Sequence, residues 1–486
     1  MTRLDARSAA HLPPYSLVAE PYLLFDPSQG QAVDPHPLRG LERFGPYSRP
    51  VMGRFTPEIR IATIGPRSGQ GAVRQLLGSL RQPHQANDRA RYTPDYPSFE
   101  QVMGVAIGPA TETCNIAWPD RLEDLPGEGP LGERLTRAFG LALQQLDGHR
   151  GDFEVVTVHL PDSWDPVTRA HGFDAHDELK ALAAHRGIPT QVLNDRTFSF
   201  GYPAQRSWRL AIALYVKAGG IPWKLAPVTG VPDSTAYIGL GYAFRGDPRE
   251  ARFVTCCSQV FDTDGGGMQF VAYEAHDPIS GDQAEARRNP YLSRDDMRAV
   301  LARSLRLYQS RNGGRIPRRI VLHKRHPFRD EELAGARDAF AVVPEVECVE
   351  LTSATSWRGV WLLAPSRRDQ RSQPDGYPTP RGVLLPVSGT EALLWAAGNA
   401  PGVSPRGNYY QGGKSIPRPL LLRRHAGSGS LELAGSEALA LTKMDWNNDA
   451  LYDPVPVTIQ YSSRLARAIA RGPALDAAEY PYRLFM

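Results

Sequence analysis

The order of the apolar segments constrains the fold of this chain more than any other feature of its sequence. From Glu58 a β-rich run, EIRIATIG, is followed by the helical pattern AVRQLLGSL, and the alternation continues through FEVVTVHL, AHDELKALAAHRG, TQVLN and RSWRLAIALYVKAGG. The last two helical patterns are predicted to end at Gly187 and at Gly219. Strands that alternate with helices predict a parallel, Rossmann-like α/β sheet over residues 58–230.

The segments after residue 230 follow a different order. Three strand patterns separated by turns, AYIGLGYAFR, ARFVTCCSQVFD and MQFVAYEA, predict an antiparallel meander. A helix from about 293 to 311, a strand RRIVLHK, a helix near DEELAGARDAF and a strand VECVELT come next. This is the order of an RNase H-like fold, which we predict for residues 231–486. Further strands are expected at GVWLLA, RGVLLPV and RPLLLRR, and a last helix near SSRLARAIARG.

The first 57 residues differ from both regions. They contain LPPY, EPYLLFDPSQG and DPHPLRGLERFGPYSRP, which are too rich in proline and glycine for long regular elements. We predict that residues 1–57 form a segment that packs across the other two domains.

Several classes of protein are excluded by composition. No stretch approaches the ~18 apolar residues of a membrane-spanning helix, and the N-terminal MTRLDARSAAHLPPY has no apolar signal region, so a cytoplasmic protein is expected. The four cysteines form no C-x-x-C pair, which argues against structural zinc and a disulfide framework. Basic and acidic residues nearly balance, at 56 and 52, but only six of the basic residues are lysines. Each lysine is therefore a candidate for a specific role.

The RNase H-like region lacks the acids that phosphodiester cleavage requires. Two metal ions must be held by carboxylates at strand ends, yet YIGLGY contains none and RIVLHKRH offers Lys324 and Arg325. Asp262 and Asp264 in FDTDGGG fall at a turn, where such residues commonly serve only to form the turn. No G-x-S-x-G, H-E-x-x-H or G-x-x-x-x-G-K-[ST] motif is present. The sequence therefore predicts a binding protein on an enzyme's scaffold.

A candidate anion site lies in the first α/β region. His176 and Lys180 are four residues apart and share one helical face. Gln191 follows on the next strand, and Lys217 ends the next helix. Their donor groups suit a phosphate, and Gln191 could reach a phosphate or a base edge. The alternative is a solvated helix face with a lysine at a helix C-terminus, and the residues alone leave both open.

Taken in order, these segments resemble the short prokaryotic Argonautes, which keep the MID and PIWI domains and lack the N and PAZ domains. HDELKALAAHRGIPTQVL with YVKAGGIPWKL is similar to the MID guide pocket, and EPYLLFDPSQG is similar to the N-terminal segment. YIGLGY, VLHKRHPFRDEELAG and DPVPVTIQYSSRLA are similar to PIWI landmarks. The resemblance implies a MID domain over 58–230 and a PIWI domain over 231–486.

The resemblance also implies roles for individual residues. The pocket for the guide 5′ phosphate falls on His176, Lys180, Gln191 and Lys217. Where family members hold a divalent ion there, the C-terminal carboxylate helps to bind it, which implies Mg²⁺ at Met486. A second lysine of the family pocket is replaced by Ala213.

At the catalytic positions of active Argonautes this chain departs from the pattern. The acids are replaced by Gly241, Arg325 and Tyr461. The resemblance therefore implies no catalytic residue and no enzymatic activity in this chain. The arginine-rich stretches RRIVLHKRHPFR and RLARAIAR are candidate walls of a nucleic-acid channel, or else ordinary basic surface.

The function implied is that of a guide-dependent sensor in prokaryotic defence. Such a protein binds a 5′-phosphorylated guide RNA and a complementary single-stranded DNA target, and it activates a partner that carries an APAZ domain fused to a TIR-like, sirtuin-like or nuclease effector. A heterodimer is expected, with a possible higher oligomer on activation and no membrane partner.

Two alternatives remain open. The first is a guide-directed nuclease with an unusual acid set, such as Asp262, Asp264 and Glu274. The second is a structural subunit whose basic surfaces only dock a protein partner.

Overall fold

The computed structural model describes residues 14–86, 92–170, 172–245, 252–262, 269–274, 291–363, 372–404, 407–410, 416–471 and 479–486. The strands in these ranges are β1 (Ser16–Leu17), β2 (Leu23–Leu24), β3 (Val33–Asp34), β4 (Glu58–Pro66), β5 (Ala106–Pro109), β6 (Asn115–Trp118), β7 (Val155–His159), β8 (Thr190–Leu193), β9 (Lys224–Leu225), β10 (Thr235–Arg245), β11 (Arg252–Phe261), β12 (Gln269–Glu274), β13 (Arg319–Lys324), β14 (Glu345–Thr352), β15 (Leu362–Leu363), β16 (Gln373–Pro374), β17 (Val383–Pro386), β18 (Glu391–Leu394), β19 (Leu420–Ala426) and β20 (Glu479–Pro481). The α-helices are α1 (Pro37–Phe44), α2 (Arg49–Phe55), α3 (Gln70–Leu80), α4 (Phe99–Met103), α5 (Leu131–Asp147), α6 (Asp165–Thr168), α7 (Ala175–His185), α8 (Asp195–Ser199), α9 (Pro203–Lys217), α10 (Arg294–Arg311), α11 (Asp330–Ala339), α12 (Leu431–Leu441) and α13 (Val457–Arg471).

The first sheet has five strands, and every pairing in it is parallel. β4 lies between β5 and β7 and also pairs with β6, and β8 pairs with the far side of β7. β7 is buried along its whole length, as is typical of a strand covered on both faces. The parallel sheet predicted from the alternation of strands and helices is confirmed.

Two helices of this region position the candidate site, and both end where the sequence predicts. α7 begins after Asp174, whose carboxylate accepts hydrogen bonds from two main-chain N–H groups of the first turn. It is followed by Gly187, whose φ is 65°. α9 begins with Pro203 and is followed by Gly219, whose φ is 103°. Glycine adopts such backbone angles at no steric cost, so both stops follow from local sequence.

The second sheet has ten strands, in the order β1-β17-β18-β19-β14-β13-β10-β11-β12-β20. β10, β11 and β12 form an antiparallel meander, β13 pairs parallel with β10, and β14 pairs parallel with β13. The predicted meander and the RNase H-like order are confirmed. α13 packs against β10 and β11, and it also touches α7 of the first region.

Three details differ from the sequence predictions. The strand expected in GVWLLA is only Leu362–Leu363. α13 starts earlier than expected, at Val457, because the β-branched Val457, Thr458 and Ile459 are all buried against neighbouring elements, and tertiary packing outweighs their weak helix propensity. α5 and α12 were not predicted.

The N-terminal segment is tied to both regions. β1 pairs with β17 at the edge of the large sheet, and β2 pairs with β3 and with β9. Glu20 forms ion pairs with Arg381 at 2.8 Å and with Lys443 at 2.5 Å. Burial and the positive charge of Arg381 together lower the pKa of Lys443 to about 8, and the Glu20 carboxylate opposes them. No helix among the described residues is long and apolar enough to cross a membrane.

Candidate anion-binding site

A cavity of about 420 Å³ opens where the first region meets the end of the chain. It is lined by Leu160, Asp165, Thr168, Arg169, Asp174, Ala175, His176, Lys180, Gln191, Val192, Asn194, Asn447 and Met486. A second cavity of about 360 Å³ shares Asp174, His176, Lys180, Asn447 and Met486 with the first and continues along α13. Together they form one open site between α7, β8, α13 and the C-terminal residue.

Lys180 forms the floor of this site. Its side chain is 2 % exposed, and Nζ donates hydrogen bonds to the main-chain oxygens of Thr190 at 2.5 Å and Met486 at 2.6 Å. Burial, and then the positive charge of Lys217, hold the pKa of Lys180 well below its ordinary value. Lys180 thus faces the cavity with main-chain oxygens as its hydrogen-bond acceptors.

Lys217 lies behind Lys180, at the end of α9. It is 1 % exposed, and its Nζ is buried without a hydrogen-bond partner. Burial lowers the pKa of Lys217 to about 7. A lysine that merely capped a helix C-terminus would bond the last carbonyls or reach water. The burial of Lys217 instead costs free energy, since a buried charge needs a partner.

His176 and Gln191 complete the set. His176 is exposed at the rim, with Nδ1 3.5 Å from Oδ1 of Asp177. Gln191 is half-buried, and its Nε2 donates to the carbonyl of Val192 at 2.9 Å. The structure therefore brings His176, Lys180 and Gln191 to one cavity, and Lys217 lies outside its lining but close enough to Lys180 to lower the pKa of that lysine. Met486 lines the same cavity.

One group of residues at the rim could hold a metal ion. Asp174, His176 and Asp177 place a ligand atom each within 4.8 Å of one another, and the described residues contain no other such group. The Asp174 carboxylate already accepts main-chain hydrogen bonds at the start of α7. At the position implied for Mg²⁺, the Met486 oxygen is an oxygen ligand of the kind that this ion takes, and in the free protein it accepts a hydrogen bond from Lys180.

Other lining residues were not singled out from the sequence. Asp165 and Thr168 lie in α6, Arg169 directly follows that helix, and Asn447 comes from the loop before α13. Their approach depends on long-range packing that local patterns do not reveal. Two arginines of α13, Arg464 and Arg467, line the second cavity. They belong to the arginine-rich stretch RLARAIAR, and their spacing of three residues indicates that they share one face of a helix.

The position of the first replaced acid has no room for a side chain. Gly241 lies on β10 under α13, and a Cβ added to it would come well inside 3.0 Å of main-chain atoms of Ser462 and Ser463. Gly239 meets the main-chain carbonyl of Thr458 in the same way. Main-chain atoms of a packed helix cannot turn aside as the end of a flexible side chain can.

The other two replaced positions carry a tyrosine with structural partners and an arginine. Tyr461 is buried, its hydroxyl donates to the Asp445 carboxylate, and its ring meets that of Tyr482 edge-on at 4.7 Å. Desolvation and the positive charge of Arg467 lower the pKa of Arg325. Neither position offers a carboxylate.

A buried carboxylate does occur near the end of β13, but it is neutralised. Glu332 forms an ion pair with Lys324 at 2.7 Å and accepts a hydrogen bond from the Tyr242 hydroxyl at 2.8 Å. Of the alternative acid set, Asp262 accepts a hydrogen bond from Asn312 at 3.5 Å. Asp264 lies outside the described residues, and the Glu274 side chain is not among those described.

Replacing Lys217 should stabilise the free protein. With a pKa of about 7 when folded against 10.5 when unfolded, the unfolded chain binds more protons between these values. The free energy of unfolding therefore rises with pH in this window. Lys217→Met removes the penalty, so its advantage over the parent should be on the order of 4 kcal/mol at pH 7 and shrink by about 1.4 kcal/mol per pH unit towards pH 9. Urea unfolding at both pH values measures this, and a pH-independent difference would contradict it.

The chain is similar to known proteins in both sequence and structure. No family model matches the sequence. Over 473 residues the chain is 24 % identical to a curated relative, "Protein argonaute" of Cereibacter sphaeroides (strain ATCC 17025 / ATH 2.4.3), covering 92 % of this chain and 55 % of the relative.

Solved structures give the same result for the fold. Clostridium butyricum Argonaute, bound to a guide DNA and a 19-mer target DNA, matches with a TM-score of 0.69 and 15 % identity over 96 % of this chain and 54 % of that one. A. aeolicus Argonaute matches with a TM-score of 0.61 and 14 % identity over 98 % of this chain and 56 % of that one. The chain thus spans about half the length of the proteins it matches. Its fold is the MID–PIWI fold of the Argonautes.

Proposed function

We propose that this chain is a guide-dependent nucleic-acid sensor. It binds the 5′-phosphorylated end of a guide RNA in the cavity between α7, β8 and Met486, and it pairs the guide with complementary single-stranded DNA. The observation that carries the proposal is the pair of buried lysines, Lys180 and Lys217. Neither forms an ion pair with a carboxylate side chain among the described residues, and the Nζ of Lys217 has no hydrogen-bond partner. A terminal phosphate would supply the missing negative charge.

The chemistry of the site supports a nucleotide end as the ligand. Lys180 offers a cation at the floor, while Gln191 offers a further donor at the wall and His176 one at the rim. Arg464 and Arg467 continue the positive charge along α13, where the backbone of the guide would leave the pocket. A single helix C-terminus or an isolated surface lysine would provide no such enclosed set.

We propose further that the chain does not cleave the target. The support is the space filled by α13 over Gly241, the partnered Tyr461 and the Lys324–Glu332 ion pair. Two-metal cleavage needs several carboxylates around one point. Incubation of guide-loaded protein with target DNA and Mg²⁺ or Mn²⁺ tests this, and a cut at one position that Asp264→Asn abolishes would favour the nuclease alternative.

We propose that the enzymatic activity belongs to an associated APAZ-containing effector of the TIR-like, sirtuin-like or nuclease class. The similarity covers only about half of each relative. The test is to purify the chain with the product of its neighbouring gene and to sequence the bound nucleic acid with its 5′-end chemistry. Short 5′-phosphorylated RNAs of narrow length are expected. Tight partner binding without nucleic acid, and no binding of synthetic guides, would favour the docking-subunit alternative.

We propose Mg²⁺ as an accessory at the guide end, held by the oxygen of Met486 and the guide phosphate. Because two lysines already supply positive charge there, chelation by EDTA is expected to weaken binding of a 5′-phosphorylated guide by less than loss of Lys180 does. Filter binding with and without EDTA, on the parent and on Lys180→Met, measures the comparison. A larger effect of EDTA would make the ion the main anion-binding element.

A further inference from the structure

The environment of Lys217 has a consequence for how the site would bind its ligand. The side chain is buried at the C-terminal end of α9, with Nζ enclosed and without a hydrogen-bond partner. α3, α4, β8 and the C-terminal turn Tyr482–Leu484 pack against α9. An ammonium in such a place has neither water nor an anion to stabilise its charge.

Two basic side chains lie in the neighbourhood of Lys217. Lys180, on α7, lies close enough for the two lysines to repel each other. On the C-terminal turn, the guanidinium of Arg483 reaches Gly219, two residues beyond Lys217. β8 presents the neutral Gln191, and the main-chain oxygen of Met486 is engaged by Lys180. No carboxylate side chain among the described residues offsets these cations, and burial is the cause of the lowered pKa of Lys217, about 7.

We propose that binding of a phosphorylated nucleic-acid end at this site is accompanied by uptake of a proton at Lys217. The proton comes from the buffer acid, and the neutral amine becomes an ammonium. The phosphate remains a dianion, and no covalent bond changes. The inference rests on the proposed function and adds to it that the free pocket is held partly uncharged and acquires its full charge only with its ligand.

This arrangement explains how a pocket of stacked cations persists in the free protein. A permanently charged pair would carry the whole desolvation cost and the mutual repulsion at all times. A neutral Lys217 avoids both until a dianion arrives, and the attraction then favours the charged form. Binding should accordingly strengthen as the pH falls from above 8 towards 7, because less work is then needed to protonate Lys217.

The experiment is calorimetry on the full chain, co-purified with its partner if needed, at pH 8 in two phosphate-free buffers of different ionisation enthalpy. The ligands are a synthetic 5′-phosphorylated RNA and the same RNA with a 5′-hydroxyl. At this pH the phosphate is already dianionic, since its second pKa is about 6. The slope of binding enthalpy against buffer ionisation enthalpy gives the number of protons taken up.

We expect uptake of close to one proton with the phosphorylated RNA and little with the 5′-hydroxyl RNA. Lys217→Met should lose this uptake, while Lys224→Met, at a half-buried lysine that lies over the Tyr47 ring, should keep it. Phosphate-dependent binding without proton uptake would overturn the inference alone, as would uptake that persists in Lys217→Met. Equal affinity for the two RNAs would instead overturn the proposed function.

Discussion

Preference for a 5′-phosphate should disappear from guide binding in the His176→Ala, Lys180→Ala double variant. Lys180 forms the floor of the cavity and His176 its rim, so the substitutions remove a cation and a donor that α7 presents to the ligand. Hydrogen bonds to charged groups contribute about 1.5–3 kcal/mol each. The loss should therefore be about 3–5 kcal/mol, or roughly 100-fold and more in affinity, measured with 5′-phosphorylated RNA.

The matching measurement uses the same RNA with a 5′-hydroxyl. Its affinity should change little, because the variant removes contacts to the phosphate alone, and the ratio of the two affinities should fall towards one. His185→Ala, an exposed histidine at the other end of α7, is the control for general effects on the helix. Lys180→Met keeps the shape of the buried side chain if the alanine variant is poorly soluble. Unchanged affinity and phosphate preference in the double variant would show that the pocket is assigned to the wrong residues.

Local patterns were sufficient for the elements that carry this site. Asp174 and Gly187 delimit α7, Gly219 ends α9, and the i, i+4 spacing places His176 and Lys180 on one face. The amphipathic pattern of α5, with Leu135, Phe139 and Leu143 buried on one side, is also a local pattern, and it indicates a helix that was not predicted. Each of these features depends on neighbours within a few residues along the chain.

The parts that escaped prediction depend on contacts between distant segments. Asn447 reaches the cavity only because α13 and the C-terminal turn pack against the first region, and Met486 was expected there from the family resemblance and not from a local pattern. The enclosure of Lys217, which gives it its chemical character, follows from the packing of other elements around the end of α9. A sequence pattern states that a lysine ends a helix, but it does not state whether water can reach that lysine.

The close approach of α13 to β10 also depends on contacts between distant segments, and it predicts the effect of a substitution at Gly241. Gly241→Asp, which puts an acid back at the first catalytic position, should destabilise the protein and should not restore cleavage. The new Cβ would overlap main-chain atoms of Ser462 and Ser463, and overpacking of this kind typically costs about 1–3 kcal/mol. A buried carboxylate without a partner adds to that cost, so we expect a loss of about 3 kcal/mol or more, seen as reduced soluble yield and a lower thermal midpoint.

Gly140→Ala provides the matched control. Gly140 lies within α5, and an added Cβ there meets nothing within 4 Å, so this substitution should be neutral or stabilise by up to about 1 kcal/mol. Gly241→Ala should fall between the two, because it has the steric overlap without the charge. If Gly241→Asp were as soluble and as stable as the parent, α13 would have to move off β10 at little cost. The face of the sheet could then open to admit metal ions. Cleavage of target DNA by the guide-loaded Gly241→Asp variant would then be measured in Mg²⁺ or Mn²⁺.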